Sequence, residues 1–116
     1  MKKYATLLIS LLITSNIVSA QTQAEMNTEA MNAYKKSDKE LNIHYKKLVN
    51  NIDSKSKEKL IKTQRLWIQY RDTYCDFDTS PYEGGTIKPL MKYSCLKTLT
   101  DQQIDNLKNS YNGRDY

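Results

Sequence analysis

Apolar and polar positions repeat with helical spacing along most of this 116-residue chain. Between Ala24 and Leu48, larger or apolar residues recur in steps of three, four or seven, which predicts an amphipathic helix. These positions are Met26, Ala30, Tyr34, Leu41, Tyr45 and Leu48. The polar stretch 50–56 interrupts the pattern, and either Asp53 or Ser54 is suited to cap a following helix.

A second helix is predicted from about Lys55 to Asp76, and its apolar positions fall on two faces at 100° per residue. One face carries Leu60, Trp67, Ile68, Tyr74 and Cys75, and the other carries Leu66, Tyr70 and Phe77. A helix with two apolar faces is typical of a central position between two neighbours. We therefore expect this helix to be the middle one.

Residues 79–89 contain both prolines and two of the three glycines, which predicts a loop. Pro89 suits the first turn of a third helix. Thr100 and Gln103 have the spacing of a capping box, so residues 87–110 form either one helix or two. The predicted fold is all-α, a small antiparallel bundle of three to four helices with one disulfide.

The first twenty residues have the three parts of a secretory signal peptide: Lys2 and Lys3, an apolar run over residues 4–18, and small residues ending at Ala20. A membrane anchor is the alternative, but the run is shorter than the roughly 20 residues that span a bilayer. We expect residues 1–20 to be removed and residues 21–116 to form a single domain. The predicted location is periplasmic or extracellular, without stable membrane insertion.

Both cysteines, Cys75 and Cys95, lie in the part predicted to be exported, where oxidising conditions favour a disulfide. A metal site is the alternative, but two thiols separated by nineteen residues and a distant His44 lack zinc-site spacing. Two of the 18 basic and none of the 13 acidic residues lie in the signal segment, which leaves a formal charge of +3. The lysines are dispersed, so nucleic acid is not expected as a ligand. Nothing in the sequence resembles a phosphate loop or a metal motif, and no cofactor is expected.

Six residues of the stretch QRLWIQYRDTYC fall within an arc of about 120° on the second helix, so its polar residues lie on the apolar side: Gln64, Trp67, Ile68, Arg71, Tyr74 and Cys75. A partly buried guanidinium requires a carboxylate or carbonyl groups. In an antiparallel hairpin of the first two helices, Asp38 approaches Arg71, and Asn42 lies one layer away with Gln64. This pattern predicts a polar seam with a structural role, in preference to a binding or catalytic site.

In their order along the chain, several groups of residues together resemble the LprI-like family of small secreted proteins, over about residues 23–108. These groups are Glu25-Met26-Asn27, Tyr34, Asp38-x-Glu40-Leu41-Asn42-x-x-Tyr45, Gln64-x-x-Trp67-x-x-x-Arg71-Asp72-x-x-Cys75, Tyr82-x-Gly84-Gly85 and Tyr93-Ser94-Cys95-Leu96. The resemblance implies an all-α exported domain with lysozyme as an expected partner, and another envelope protein is the alternative partner. One position departs from the family pattern, since Glu29 stands where members often carry a further cysteine.

Two functions compete. A lysozyme inhibitor would occlude the enzyme's cleft, and the acidic residues Asp76, Asp78 and Glu83 with Tyr82 make the tethered loop the expected contact. The positive overall charge gives no long-range attraction to a basic enzyme. The alternative is an envelope structural or interaction module without inhibitory activity. An enzyme is not expected, and no catalytic residue is assigned, because His44 is the single histidine and both cysteines are assigned to the disulfide.

Overall fold

The computed structural model of the protein describes residues 21–112, with side chains through residue 110. In these residues the chain forms α1 (Gln23–Val49), α2 (Ser54–Asp78), a 3₁₀ turn (Ser80–Tyr82) and α3 (Lys88–Asn112). The all-α prediction is confirmed, and the last region is one continuous helix. The segment predicted to be a signal peptide, residues 1–20, lies outside the described residues.

The helix boundaries follow from local capping chemistry. The Thr22 hydroxyl accepts a hydrogen bond from the backbone N–H of Glu25 at the start of α1. At the start of α2, the Asp53 carboxylate accepts one from the backbone N–H of Ser56 at 2.8 Å. Each bond satisfies one of the donors that the first turn of a helix leaves without a partner. Pro89 occupies the first turn of α3, where its missing N–H costs nothing.

The three helices run up, down and up, with α1 parallel to α3 and α2 antiparallel to both. Four buried side chains form the apolar core, and all of them come from α1 and α3: Leu41, Leu48, Ile104 and Leu107. The α2 side chains Leu60 and Trp67 pack against this core while staying partly exposed. α3 therefore contacts both other helices over its length, and the prediction that α2 is the middle helix is wrong.

The reason is that one of the two apolar faces of α2 is left uncovered, and the other is covered only in part, since Ile68 and Tyr74 are 41 % and 38 % exposed. Leu66 and Tyr70 are each 55 % exposed, and Phe77 is 74 % exposed. The buried side chains of α2 are instead Gln64, Arg71 and Cys75. Periodicity identified both apolar faces correctly, but it carries no information on which face the rest of the chain covers.

Cys75 and Cys95 form a disulfide between α2 and α3, with their Cα atoms 5.7 Å apart, which confirms the predicted bond. The Cys75 side chain is fully buried. Within residues 21–112, no helix is both long enough and apolar enough to cross a membrane.

We expect removal of the disulfide to destabilise the domain by about 3 kcal/mol, because the bond closes a loop of roughly twenty residues in the unfolded chain. The variant Cys75→Ala/Cys95→Ala is compared with the oxidised parent by urea unfolding, monitored by helical circular dichroism. Adding a reductant should lower the stability of the parent alone. Equal stability of the variant and the oxidised parent would contradict the prediction.

Asp101 on α3 accepts a hydrogen bond from Lys97 of the same helix, and Ser37 on α1 also stabilises its carboxylate. Burial raises the pKa of this carboxyl, but hydrogen bonds with Lys97 and Ser37 outweigh it, so the pKa lies below its ordinary value. A lowered folded-state pKa contributes stability that is present above the unfolded value and is lost as pH falls through the folded value. The loss therefore begins below about pH 4.

We expect Asp101→Asn to reduce the acid sensitivity of the domain. The free energy of unfolding of the parent should fall more steeply than that of the variant as pH drops below about 4. Urea unfolding at a series of pH values measures this slope. The variant Asp105→Asn, at an exposed position on the same helix, is the matched control and should keep the parent's slope. Parallel pH profiles for the parent and Asp101→Asn would refute the assignment.

Candidate functional site

Arg71 lies at the meeting point of the three helices, with its side chain 8 % exposed. Its Nε donates a hydrogen bond to Oδ1 of Asp72 at 2.9 Å. Its Nη1 donates to Oδ1 of Asp38 on α1 at 3.3 Å and to Oγ1 of Thr100 on α3 at 3.4 Å. One guanidinium thus contacts carboxylates from α1 and α2 and a hydroxyl from α3.

Two aromatic rings complete the surroundings of this guanidinium. The Arg71 Cζ atom lies 5.1 Å from the centre of the Trp67 ring and 5.5 Å from that of Tyr34, both within cation–π range. Burial raises the pKa of Tyr34, and the positive charge of Arg71 opposes that shift. The Tyr34 ring also contacts Tyr93 of α3, with ring centroids 6.0 Å apart. Rings and carboxylates together compensate the desolvated charge.

Gln64 lies further along α2 and is buried, as the predicted seam requires, but its partner is not Asn42. The Nε2 of Gln103 on α3 donates to Oε1 of Gln64 at 3.2 Å. Asn42 is exposed. At 100° per residue, Asn42 lies about 120° from the middle of the buried face of α1 defined by Ser37, Leu41 and Leu48. The structure therefore brings Asp38, Gln64, Trp67 and Arg71 to one side of α2 and leaves Asn42 outside.

These contacts form a ladder between the antiparallel helices α2 and α3. The disulfide is the first rung, the bond from Arg71 to Thr100 is the second, and the Gln64–Gln103 bond is the third. Among the described side chains, no buried nitrogen or oxygen lacks a hydrogen-bond partner. α2 is thus held mainly by specific polar contacts and one covalent bond, in a single register.

The segment between α2 and α3 is ordered by a series of turns. Backbone hydrogen bonds join Tyr82 to Thr79, Gly85 to Tyr82 and Lys88 to Gly85, at 3.0 to 3.2 Å. Gly84 has a φ of 77°, a left-handed conformation that side-chain-bearing residues rarely adopt. We call residues 79–87 the connecting loop.

Asn27 of α1 binds the far end of the connecting loop. Its Nδ2 donates to the carbonyl of Thr86 at 2.9 Å, and its Oδ1 accepts from the backbone N–H of Leu90 at 3.2 Å. The near end of the loop follows Cys75 by four residues, and the Thr79 hydroxyl donates to the Cys75 carbonyl at 2.6 Å. Both ends of the loop are therefore fixed to the bundle.

The four residues predicted to contact a partner lie at the same end of the molecule, but lysines accompany two of them. Asp76 pairs with Nζ of Lys92 at 2.9 Å, and this hydrogen bond is the main cause of the raised pKa of Lys92. Glu83 pairs with Lys88. Asp78 is exposed at the last residue of α2, and Tyr82 is half-buried in the 3₁₀ turn. The local negative charge is thus smaller than the sequence alone indicates.

Four residues that the sequence analysis did not assign to a site take part in it. Tyr34 stacks on the arginine, Thr100 and Gln103 bind α2 from α3, and Asn27 fixes the connecting loop. Tyr34 lies one helical turn before Asp38, and this spacing indicates that both side chains share one face of α1. Nothing in the sequence pattern alone indicated that the Asn27 amide faces a loop about sixty residues away.

The contacts around Arg71 are those of packing and charge compensation. In residues 21–112, no group of three or more His, Cys, Asp or Glu side chains is placed to hold a metal ion. The guanidinium of Arg71 is enclosed by its partners, while the connecting loop exposes polar side chains at Ser80, Glu83 and Thr86. The fold and the site define a small three-helix domain, closed by one disulfide and organised around a buried arginine.

Comparison with known proteins gives the family. The model of the family described as "Lysozyme inhibitor LprI" matches residues 15–107, and the chain belongs to this family. An uncharacterized protein of Rhizobium meliloti (strain 1021) is 31 % identical, and the match covers 77 % of this chain and 73 % of that protein. No solved structure matches the chain at a significant level.

We expect Arg71 and Asp38 to be energetically coupled. Arg71→Met should lower the free energy of unfolding by about 1–4 kcal/mol, partly because it leaves a carboxylate without its partner. In a double-mutant cycle with Asp38→Asn, the interaction free energy should be about 0.5–3 kcal/mol. Urea unfolding of the four proteins measures it. Strictly additive losses would show that the 3.3 Å contact contributes nothing to stability.

Proposed function

We propose that this protein is an exported binding protein that inhibits a lysozyme by placing its connecting loop in the enzyme's cleft. The observation that carries the proposal is membership of a family described as lysozyme inhibitors. Export is supported by the signal-like pattern of residues 1–20. The ordered state of the loop supports the choice of contact, because a loop fixed at both ends loses little conformational entropy on binding.

The contact would combine one exposed acidic group with one aromatic side chain. Asp78 and Tyr82 lie four residues apart, across the junction of α2 and the 3₁₀ turn. Tyrosine offers a large contact area with few torsions to restrict, which suits the centre of an interface. Gly84 and Gly85 follow after Glu83, and neither carries a side chain that would obstruct close approach.

Electrostatic attraction to a basic enzyme would be modest and local. Three carboxylates at this end (Asp76, Asp78 and Glu83) are accompanied by two lysines, which leaves a net charge of one negative. Neutralising the carboxylates would change the local net charge to two positive. The carboxylates thus chiefly prevent repulsion, and their replacement should affect association more than dissociation.

The test is inhibition of cell-wall lysis by a panel of purified lysozymes, with the purified protein and two sets of variants. We expect Asp76→Asn/Asp78→Asn/Glu83→Gln to weaken inhibition by about tenfold or more, with slower association. Tyr82→Ala should mainly speed dissociation. The control neutralises the same number of exposed carboxylates away from the connecting loop, at Glu40, Glu58 and Asp105, and should inhibit as the parent does.

The outcomes distinguish whether the protein inhibits lysozyme from which of its surfaces makes the contact. If the parent inhibits no lysozyme in the panel, the proposed function is wrong, and the interaction-module alternative gains support from the exposed aromatic face of α2. If the parent inhibits and the loop variants inhibit equally well with unchanged helical content, the contact lies elsewhere on the surface.

A further inference from the structure

The exposed face of α2 carries a continuous apolar surface. Leu66 and Tyr70 are each 55 % exposed, Tyr74 is 38 % exposed and Phe77 is 74 % exposed. The rings of Tyr70 and Tyr74 stack at 5.7 Å, and those of Tyr74 and Phe77 lie 6.5 Å apart. Contiguous apolar surface of this kind on a small domain marks a contact surface.

The spacing along this face is that of a helix-pairing seam. Leu66, Tyr70, Thr73 and Phe77 follow one another at intervals of four, three and four residues, which is the a/d pattern of two packed helices. We call these four residues the α2 seam. The buried residue Arg71 follows Tyr70 by one position, about 100° around the helix. The seam therefore faces away from the protein's own bundle.

One edge of the α2 seam carries a positive charge at one end and a negative charge at the other. This edge is therefore complementary to the same edge of an antiparallel second copy. Lys62, Gln69 and Asp76 follow one another at intervals of seven, so all three lie along the same edge. In an antiparallel pair, this edge faces the same edge of the other helix. A two-fold axis at Gln69 then places Lys62 opposite the partner's Asp76, and the reverse pair forms by symmetry.

A parallel pair lacks this match. There the edge of Lys62 and Asp76 would face the opposite edge of the other helix, which carries Leu60, Trp67 and Tyr74 and no charge. Two of these residues, Leu60 and Trp67, already pack on the protein's own core. The charge pattern thus selects the antiparallel orientation.

We propose that this protein forms a symmetric dimer in which α2 pairs antiparallel with α2 of a second copy through the seam. Asp76 uses Oδ1 for Lys92 of its own chain, and a carboxylate has a second oxygen able to accept from the partner's lysine. A standard interface buries about 800 Å² per partner, and one pair of helices covers less than that. The dimer is therefore concentration-dependent, and it goes beyond the proposed inhibition of lysozyme.

The first test measures association by sedimentation equilibrium over a concentration series of the purified protein. The parent should approach twice the mass of one chain as concentration rises. Leu66→Ser should raise the dimer dissociation constant by about tenfold or more. The matched control is Ile43→Ser on α1, because Ile43 is also 55 % exposed and lies outside the seam. The control should associate as the parent does.

The second test uses charge exchange to determine orientation. Lys62→Glu alone and Asp76→Lys alone should each weaken the dimer, since each places like charges opposite one another. The double variant Lys62→Glu/Asp76→Lys should recover association relative to either single variant. The double variant and Asp76→Lys both lose the ion pair between Asp76 and Lys92. A difference in association between these two variants therefore reports the contact across the interface alone. Circular dichroism confirms equal helical content.

Each outcome decides the proposal. A parent that stays monomeric at all concentrations overturns it, whether or not lysozyme is inhibited, because the inhibition assay does not depend on Lys62 or Leu66. Association that is unaffected by Leu66→Ser places the contact on another surface and also overturns it. A double variant no stronger than the single variants overturns the antiparallel arrangement.

Discussion

The burial of one guanidinium constrains the arrangement of all three helices. Removing a charged group from water costs several kcal/mol, and the cost is offset only when good partners surround it. For Arg71 those partners come from α1, from α2 itself and from α3. No two helices supply the full set, so any displacement of one helix leaves the charge partly uncompensated. A buried charge of this kind contributes more to selecting one arrangement than to net stability.

This constraint explains why α2 is attached differently from the other helices. α1 and α3 share the four residues of the apolar core, while α2 offers a glutamine, an arginine and a half-cystine as its buried side chains. Polar contacts and a disulfide depend on direction and distance, so they fix the register of α2 without requiring a wide apolar face. The apolar residues on its other side are consequently not needed by the bundle, and they remain exposed.

The sequence predicted the helical segments and the disulfide, and it offered Asp53 as one of two candidate caps for α2, because each depends on local spacing or on compartment chemistry. It also placed Asp38 and Arg71 together, since an antiparallel hairpin and the need for a counter-ion leave few candidates. It failed for Asn42, whose predicted position assumed that Gln64 would find its partner on α1. The partner lies on α3, and the packing of α3 depends on tertiary contacts that helical periodicity does not encode. The lysines beside Asp76 and Glu83 were missed for the same reason.

Asp76 lies where the two proposed contact surfaces meet. It is one residue after the buried Cys75, it ends the charged edge of the α2 seam, and it belongs to the acidic group near the connecting loop. If both proposals hold, three cations would compete for one carboxylate: Lys92 of its own chain, the partner's Lys62 in a dimer, and a basic group of a bound enzyme. If both contacts form, they are thermodynamically linked, and each changes the affinity of the other by the same factor.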